Sequence, residues 1–327
     1  MNSIKSIKGL LALLIIGGIA FYFTACSQDN ITSSDNLTDD QYLQQVVQSG
    51  TGSNNQAEED LMANESGDMD NSGAVPNNDN QIDTLIRWGR RITGVNVNYS
   101  ITSLSDTEKT VNVTRTISGN YIIIGNVNGT VDTIVKPYTE VLKRYVAFKR
   151  IARTNHPRFN WKLYQVSMAD GQTTAPQVGT DYVKMTKLEV YVNGSLKYTL
   201  SGPDFTQNIF TTIRFNGAGV PSVNLGDQVR MIVYTNSSQT QTDIVAWHWA
   251  RNTFGFHREP FTMTSNVWDP AINGYDRTYE KTFTIYMQHK IGIFNGYLSA
   301  STHQSLYDSS PNLFASDELG TPYKVLP

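Results

Sequence analysis

The chain is poor in cysteine and in charge. Of its 327 residues one, Cys26, is cysteine, and charged residues make up 17%. A single cysteine excludes an internal disulfide framework, so folded units must hold together by packing and strand pairing. The five histidines are scattered, with no HxxxH pair and no carboxylate at ligand spacing, which removes the familiar zinc signatures. There is no GxSxG elbow and no Walker A loop. Between Ser27 and Gln81 the chain carries 11 Asp/Glu and no Lys/Arg. These gaps leave no signature of the common hydrolase, nucleotide or metal chemistries.

One long apolar run is present. Lys5 and Lys8 precede an uncharged stretch from Gly9 to Phe23. It is short for a membrane span, which needs about 20 residues, and right for the apolar core of a secretory signal. Phe23-Thr24-Ala25-Cys26 follows. This run resembles the lipobox of bacterial lipoproteins, and the acidic segment behind it is similar to envelope lipoproteins of Bacteroidetes type. The resemblance implies that residues 1–25 are removed and that Cys26 receives a covalent lipid. It further implies an outer-membrane location, with the cell surface favoured over the periplasmic face. An anchor of this kind places the chain outside the cytoplasm and excludes nucleic acid as a partner.

Residues 26–79 read as an acidic, largely disordered tether, rich in Asn, Ser, Asp and Gly. A spacer of about 55 residues spans on the order of 40 Å. One island stands out. Thr38 can cap a helix, Asp39 and Asp40 suit its first turn, and Tyr42, Leu43, Val46 and Val47 share a face. The expected helix ends near Gly50. Asp68, Asp70, Ser72 and Asp79 fall at positions 1, 3, 5 and 12 of a calcium-loop pattern, with Gly73 at 6. Against it, Pro76 occupies position 9, position 12 is Asp rather than Glu, and no amphipathic helix clearly flanks the loop. A solvated spacer is the competing reading. Beyond the lipid, calcium is the one cofactor the sequence raises.

The expected fold class is mainly β. Charge divides sharply at residue 82: from Ile82 to Gln165 there are 13 Lys/Arg against 5 Asp/Glu. Over 80–172, Ile82, Leu85, Ile86 and Gly89 recur at helical spacing, predicting a helix over 82–92. Alternating strands follow, with Asn128-Gly129 as a hairpin turn. A helix with a curled antiparallel sheet is similar in outline to cystatin or NTF2-like folds. The basic residues Lys143, Arg144, Lys149, Arg150, Arg153 and Arg158 fit either an anionic partner surface or a solvated face turned to the acidic tether.

Ala175-Pro176 marks a hinge, and 176–327 reads as a second unit. Short strands recur there, with Asn-Gly signals at 193, 216, 273 and 295, as in a β-sandwich, immunoglobulin-like in outline. Leu306–Asp308 and Thr321–Val325 form a closing strand pair or a segment packed back across the sandwich. Ten aromatic residues lie between 244 and 286, against 11% for the whole chain. In a strand, Val245, Trp247 and Trp249 face one way and Ile244, Ala246, His248 and Ala250 the other. Trp247, His248, Trp249 and Trp268 therefore form either core and rim packing or an aromatic platform for sugar rings. His248, His257 and Glu259 carry no ligand or acid–base spacing. The expected role is structural or interactive at the cell surface, without catalysis, with envelope glycan or another surface protein as partner. An envelope hydrolase is the remaining alternative.

Overall fold

The computed structural model describes residues 37–49, 68–70, 75–76, 82, 84–211, 219–249, 257–289 and 291–327. Residues 1–25, expected as a signal, Cys26 and most of the expected tether lie outside them. The described chain is mainly β, in two sheets of 13 and five strands.

Helix α1 (Asp39–Ser49) forms where the sequence places it. Thr38 and Gln41 close a capping box: the Gln41 amide donates to Thr38 Oγ1 at 3.2 Å, and the Thr38 amide to Gln41 Oε1 at 2.8 Å. Its apolar stripe of Tyr42, Leu43, Val46 and Val47 is buried.

What α1 packs against is a set of three long strands, β3 (Thr84–Ser105), β4 (Glu108–Val127) and β5 (Thr130–Arg150). The short strands β1 (Asp68–Asp70) and β2 (Val75–Pro76) pair with the first turns of β3. Asn128 and Gly129, with φ of 52° and 81°, join β4 to β5 in the tight turn expected of that dipeptide. The helix expected over 82–92 is instead part of β3. A β-bulge between Leu85 and Arg87 explains the misleading spacing. The extra residue, Ile86, turns outward and is 40% exposed, so the buried Leu85 and Trp88 share a face three residues apart. Three-residue spacing is what a helix would show.

After the short helix α2 (Pro157–Asn160), strands β6 (Trp161–Ser167) and β7 (Ala169–Ala175) continue the sheet beside β5. Residues 183–284 supply the five-stranded sheet, in the order β15-β16-β12-β8-β9. Its members are β8 (Val183–Val192), β9 (Ser195–Ser201), β12 (Gln228–Ser237), β15 (Thr262–Asp269) and β16 (Gly274–Thr284). The short strands β10 (Ile209–Thr211) and β11 (Ser222–Asn224) join the larger sheet. So do β13 (Ile244–Trp249), β14 (His257–Pro260), β17 (Gly292–Ser301) and β18 (Ser316–Leu326). Strand β18 pairs with both β17 and β7, so tracts 80–172 and 176–327 share one sheet. Residues 303–307 form the short helix α3 and not a strand. Asn295-Gly296, expected as a turn, lies inside β17. An added Cβ at Gly296 would sit 1.9 Å from the Trp247 ring, so the glycine makes room for an indole, not for a bend.

The sheet rolls. Rings of Trp88 on β3 and His248 on β13 lie 6.3 Å apart, although those strands are not hydrogen-bonded neighbours. Strands β13, β17 and β18 thus form a wall with two buried faces. Val245, Trp247, Leu298, Ala300, Leu319 and Val325 pack toward the five-stranded sheet, against Leu188, Met231 and Val233. His248, Tyr297, Ser299 and Glu318 point into the rolled sheet's bore. One end of the bore is closed by Leu306, Tyr307 and Phe314, which pack on Trp88, Tyr121, Ile134 and Tyr138. The buried Lys136 ammonium donates to the carbonyls of Gln304 and Leu313 at 2.8 and 2.9 Å and holds that plug.

Docking of α1 through Leu43 is testable by denaturant unfolding. Leu43→Ala is expected to cost about 2–4 kcal/mol. A cost near zero would mean that α1 is not part of the cooperative fold.

Candidate functional site

The densest chemistry lies in the middle of the bore. Arg90 enters from β3, Tyr138 and Glu140 from β5, Tyr297 from β17 and Glu318 from β18. Arg90 Nη1 lies 2.7 Å from Glu140 Oε2, 2.6 Å from Tyr297 Oη, and 3.3 and 3.4 Å from the two Glu318 oxygens. An Nη nitrogen carries two hydrogens, so the short pair takes them and Glu318 is held chiefly by charge. The guanidinium carbon also stands 4.2 Å from the centre of the Tyr297 ring. His248 bonds Ser299 through Nε2 and Oγ at 3.2 Å, and its ring sits 5.4 Å from that of Tyr297. Close by, Arg144 donates to Asn295 Oδ1 at 2.8 Å.

Two carboxyls and one guanidinium leave one negative charge to be neutralised. The Glu140 and Glu318 side chains are 0% and 1% exposed, and Glu140 Oε1 is buried without a hydrogen-bond partner. Burial holds the Glu140 carboxyl well above its ordinary range; Arg90 opposes this and Glu318 adds to it. A proton retained on Glu140 resolves the imbalance. On the opposite face of β18, burial pushes Asp317 up to about 8, although the Met185 amide donates to it at 2.6 Å.

Such a carboxyl pair has the composition of an acid–base couple. Its surroundings do not offer a substrate a path: both glutamates are covered, and Arg90 closes over them with 11% of its side chain exposed. In this conformation the cluster ties four strands, β3, β5, β17 and β18, to one another.

Of the residues singled out in the sequence, Trp247, His248 and Trp268 are not brought together. Trp247 is buried toward the five-stranded sheet, edge-on to Tyr323 at 6.1 Å. There it lines a small apolar cavity of about 60 Å³ with Met231, Phe283 and Tyr323. His248 points the other way, into the bore. Trp249 belongs to the same strand by its backbone. Trp268 lies on β15 in the other sheet, 50% exposed and edge-on to Tyr275 at 5.1 Å. Glu259 pairs with Lys281 at 2.7 Å. Asp68 and Asp70 lie on extended β1, opposite Arg90 and Trp88, while Ser72 and Asp79 fall outside the described residues. Among the described residues there is no group of three or more His, Cys, Asp or Glu that could hold a metal.

The basic surface divides. Lys109 pairs with Asp40 and Arg150 with Asp39, so the acidic turn of α1 occupies part of it. Lys143 opens instead on a polar hollow of about 420 Å³ lined by Asn112, Thr114, Tyr145, Asp170 and Asp204. The bore cluster was not legible beforehand: Glu140 and Glu318 are distant in the chain, and only the strand order β5-β7-β18 joins them. Comparison with known proteins finds no family model, no curated protein and no solved structure that matches this chain.

A carboxyl that keeps its proton in the fold longer than in the unfolded chain makes the folded state bind more protons. Stability then falls as pH rises from the ordinary carboxyl range through the raised value. For Asp317 that window runs from about pH 4 to about 8, and Glu140 acts in the same direction. Glu140→Gln and Asp317→Asn mimic the protonated forms. Denaturation midpoints across this window should slope less steeply in each variant than in the parent. Identical slopes would show that neither carboxyl holds an extra proton.

Proposed function

We propose that the chain is a lipid-anchored cell-envelope protein with a structural or interaction role at the cell surface and no catalytic step. The observation that carries this reading is the docking of α1. Only 12 residues, 27–38, separate Cys26 from its first residue. At full extension they reach about 40 Å, and as a flexible coil roughly 20 Å. A lipid on Cys26 would therefore hold the folded body close to the membrane, not at the end of a 55-residue leash. The covered glutamate pair supports the non-catalytic part of the reading.

In outline, we read α1 and the rolled sheet as the helix-with-curled-sheet unit of cystatin or NTF2-like folds. The five-stranded sheet over the wall then corresponds to an immunoglobulin-like sandwich. We read residues 26–79 as an acidic tether interrupted by α1, β1 and β2, and calcium keeps only the weak pattern around Asp68 and Asp70 in its favour.

Palmitate labelling of cells producing the chain tests the anchor. Label should enter the parent and be lost in Cys26→Ala, and external protease should reach the parent on intact cells. Membrane retention without label would overturn the lipid anchor; labelled but protected protein would overturn surface display.

Envelope glycan is a second reading, favoured by the exposed, edge-on pair of Trp268 and Tyr275. A glycan array should then show binding that Trp268→Ala lowers roughly two- to tenfold, since stacking on an aromatic face is worth about 0.5–1.5 kcal/mol. Equal signals from both proteins would remove Trp268 from any binding site.

A further inference from the structure

Strand β3 is hydrogen-bonded to β4 from Thr84 to Ser105, but its opposite edge is mostly open. On that side β2 covers Thr84 and Leu85, and β1 covers Trp88 to Arg90. From Arg91 to Ser105 the edge has no strand partner among the described residues. Fifteen residues at about 3.3 Å each make a free edge of roughly 50 Å.

Proteins keep such edges from pairing with lysine, proline, inward charges, bulges or short length. Of these, only bulges occur here, and they lie at the two ends of the stretch. From Ile92 to Ser105 the sequence, ITGVNVNYSITSLS, has no charged residue and no proline. Two bulges, at Ile92/Gly94 and Ser103/Ser105, bracket a regular ladder. Within it the faces alternate cleanly. Val97, Tyr99 and Ile101 are half-buried against the core around α1. Asn96, Asn98, Ser100 and Thr102 are exposed on the other face.

This pattern is self-complementary when the strand meets itself antiparallel about Asn98. Val97 then faces Tyr99, Val95 faces Ile101, Asn96 faces Ser100, and Asn98 faces its own copy. From Val95 to Ile101 every apolar residue meets an apolar one on one face and every polar residue a polar one on the other. Val95, now 49% exposed, would be covered. The ends match as well: exposed Arg91 of one copy comes beside Ser105 and exposed Asp106 of the other, twice by symmetry. Parallel self-pairing would set Arg91 against Arg91 and Asp106 against Asp106.

We propose that β3 is a dimerisation edge, on which a second copy of this chain pairs antiparallel about Asn98. The two rolled sheets then run on as one across an isologous interface. This deepens the interaction role proposed above by naming a partner. A monomeric result would leave palmitate labelling of Cys26 untouched, so the two readings fail separately.

The test uses the full chain in detergent micelles, in a Cys26→Ser background so that only introduced thiols can react. Asn98→Cys should form a disulfide-linked dimer, because facing residues of an antiparallel pair have Cα atoms roughly 4.5–5.5 Å apart. Val97→Cys and Tyr99→Cys should cross-link to each other when mixed and much less when oxidised alone. Asn112→Cys, on the interior strand β4, should stay uncoupled. Light scattering should give twice the chain mass for the parent. Asn98→Lys sets two ammonium groups face to face and should return it to the monomer mass with an unchanged circular dichroism spectrum. A monomeric parent, or cross-linking at Asn112→Cys as fast as at Asn98→Cys, would overturn the proposal.

Discussion

The wall formed by β13, β17 and β18 has no solvent face, and the rest of the structure is arranged around that constraint. Each of its residues must suit one of two interiors. Toward the five-stranded sheet the wall presents Trp247, Leu298, Ala300 and Leu319, whose burial is favourable without further partners. Toward the bore it presents His248, Tyr297, Ser299 and Glu318, which are stable there only because Arg90, Glu140 and their neighbours satisfy them. A one-residue slip in the wall would exchange the two sets and bury glutamate against methionine. The register of the whole molecule is therefore pinned from both sides at once.

A second buried pair guards the passage between the layers. Arg277 on β16 and Asp243, just before β13, are both fully buried, with Nη1 and Oδ2 2.8 Å apart. The same guanidinium donates to the Gln241 carbonyl at 2.8 Å and the Thr240 carbonyl at 3.2 Å, and its Nε to Asn266 Oδ1 at 2.9 Å. One side chain thus fixes the crossing from the five-stranded sheet into the wall. Breaking such a pair from one side costs about 3–5 kcal/mol in comparable cases.

Local signals carried the sequence reading where structure is local. The Thr38 cap and apolar stripe of α1, the turns at Asn128-Gly129 and Asn193-Gly194, and the split faces of β13 are all short-range features. The reading failed where a local cue had a long-range cause. The bulge at Ile86 imitates helical spacing, and its meaning depends on β4 lying alongside. Asn295-Gly296 imitates a turn, yet Gly296 answers to Trp247 on the neighbouring strand and Asn295 to Arg144 across the bore. The glutamate pair left no trace at all, because no pattern within β5 or β18 announces that β7 will bring them together.

Strand β18 stands between β7 and β17 in the sheet order, in the middle of the molecule, yet it is the latest of the described strands in the chain. It contributes Glu318 to the bore and Leu319 to the core beneath the five-stranded sheet. Neither the bore nor the core beneath the five-stranded sheet is complete without residues 316–326. Non-local pairing of this kind is slow. The two layers thus share one strand, and a single stretch of eleven residues couples the polar interior of the bore to the apolar core beside it.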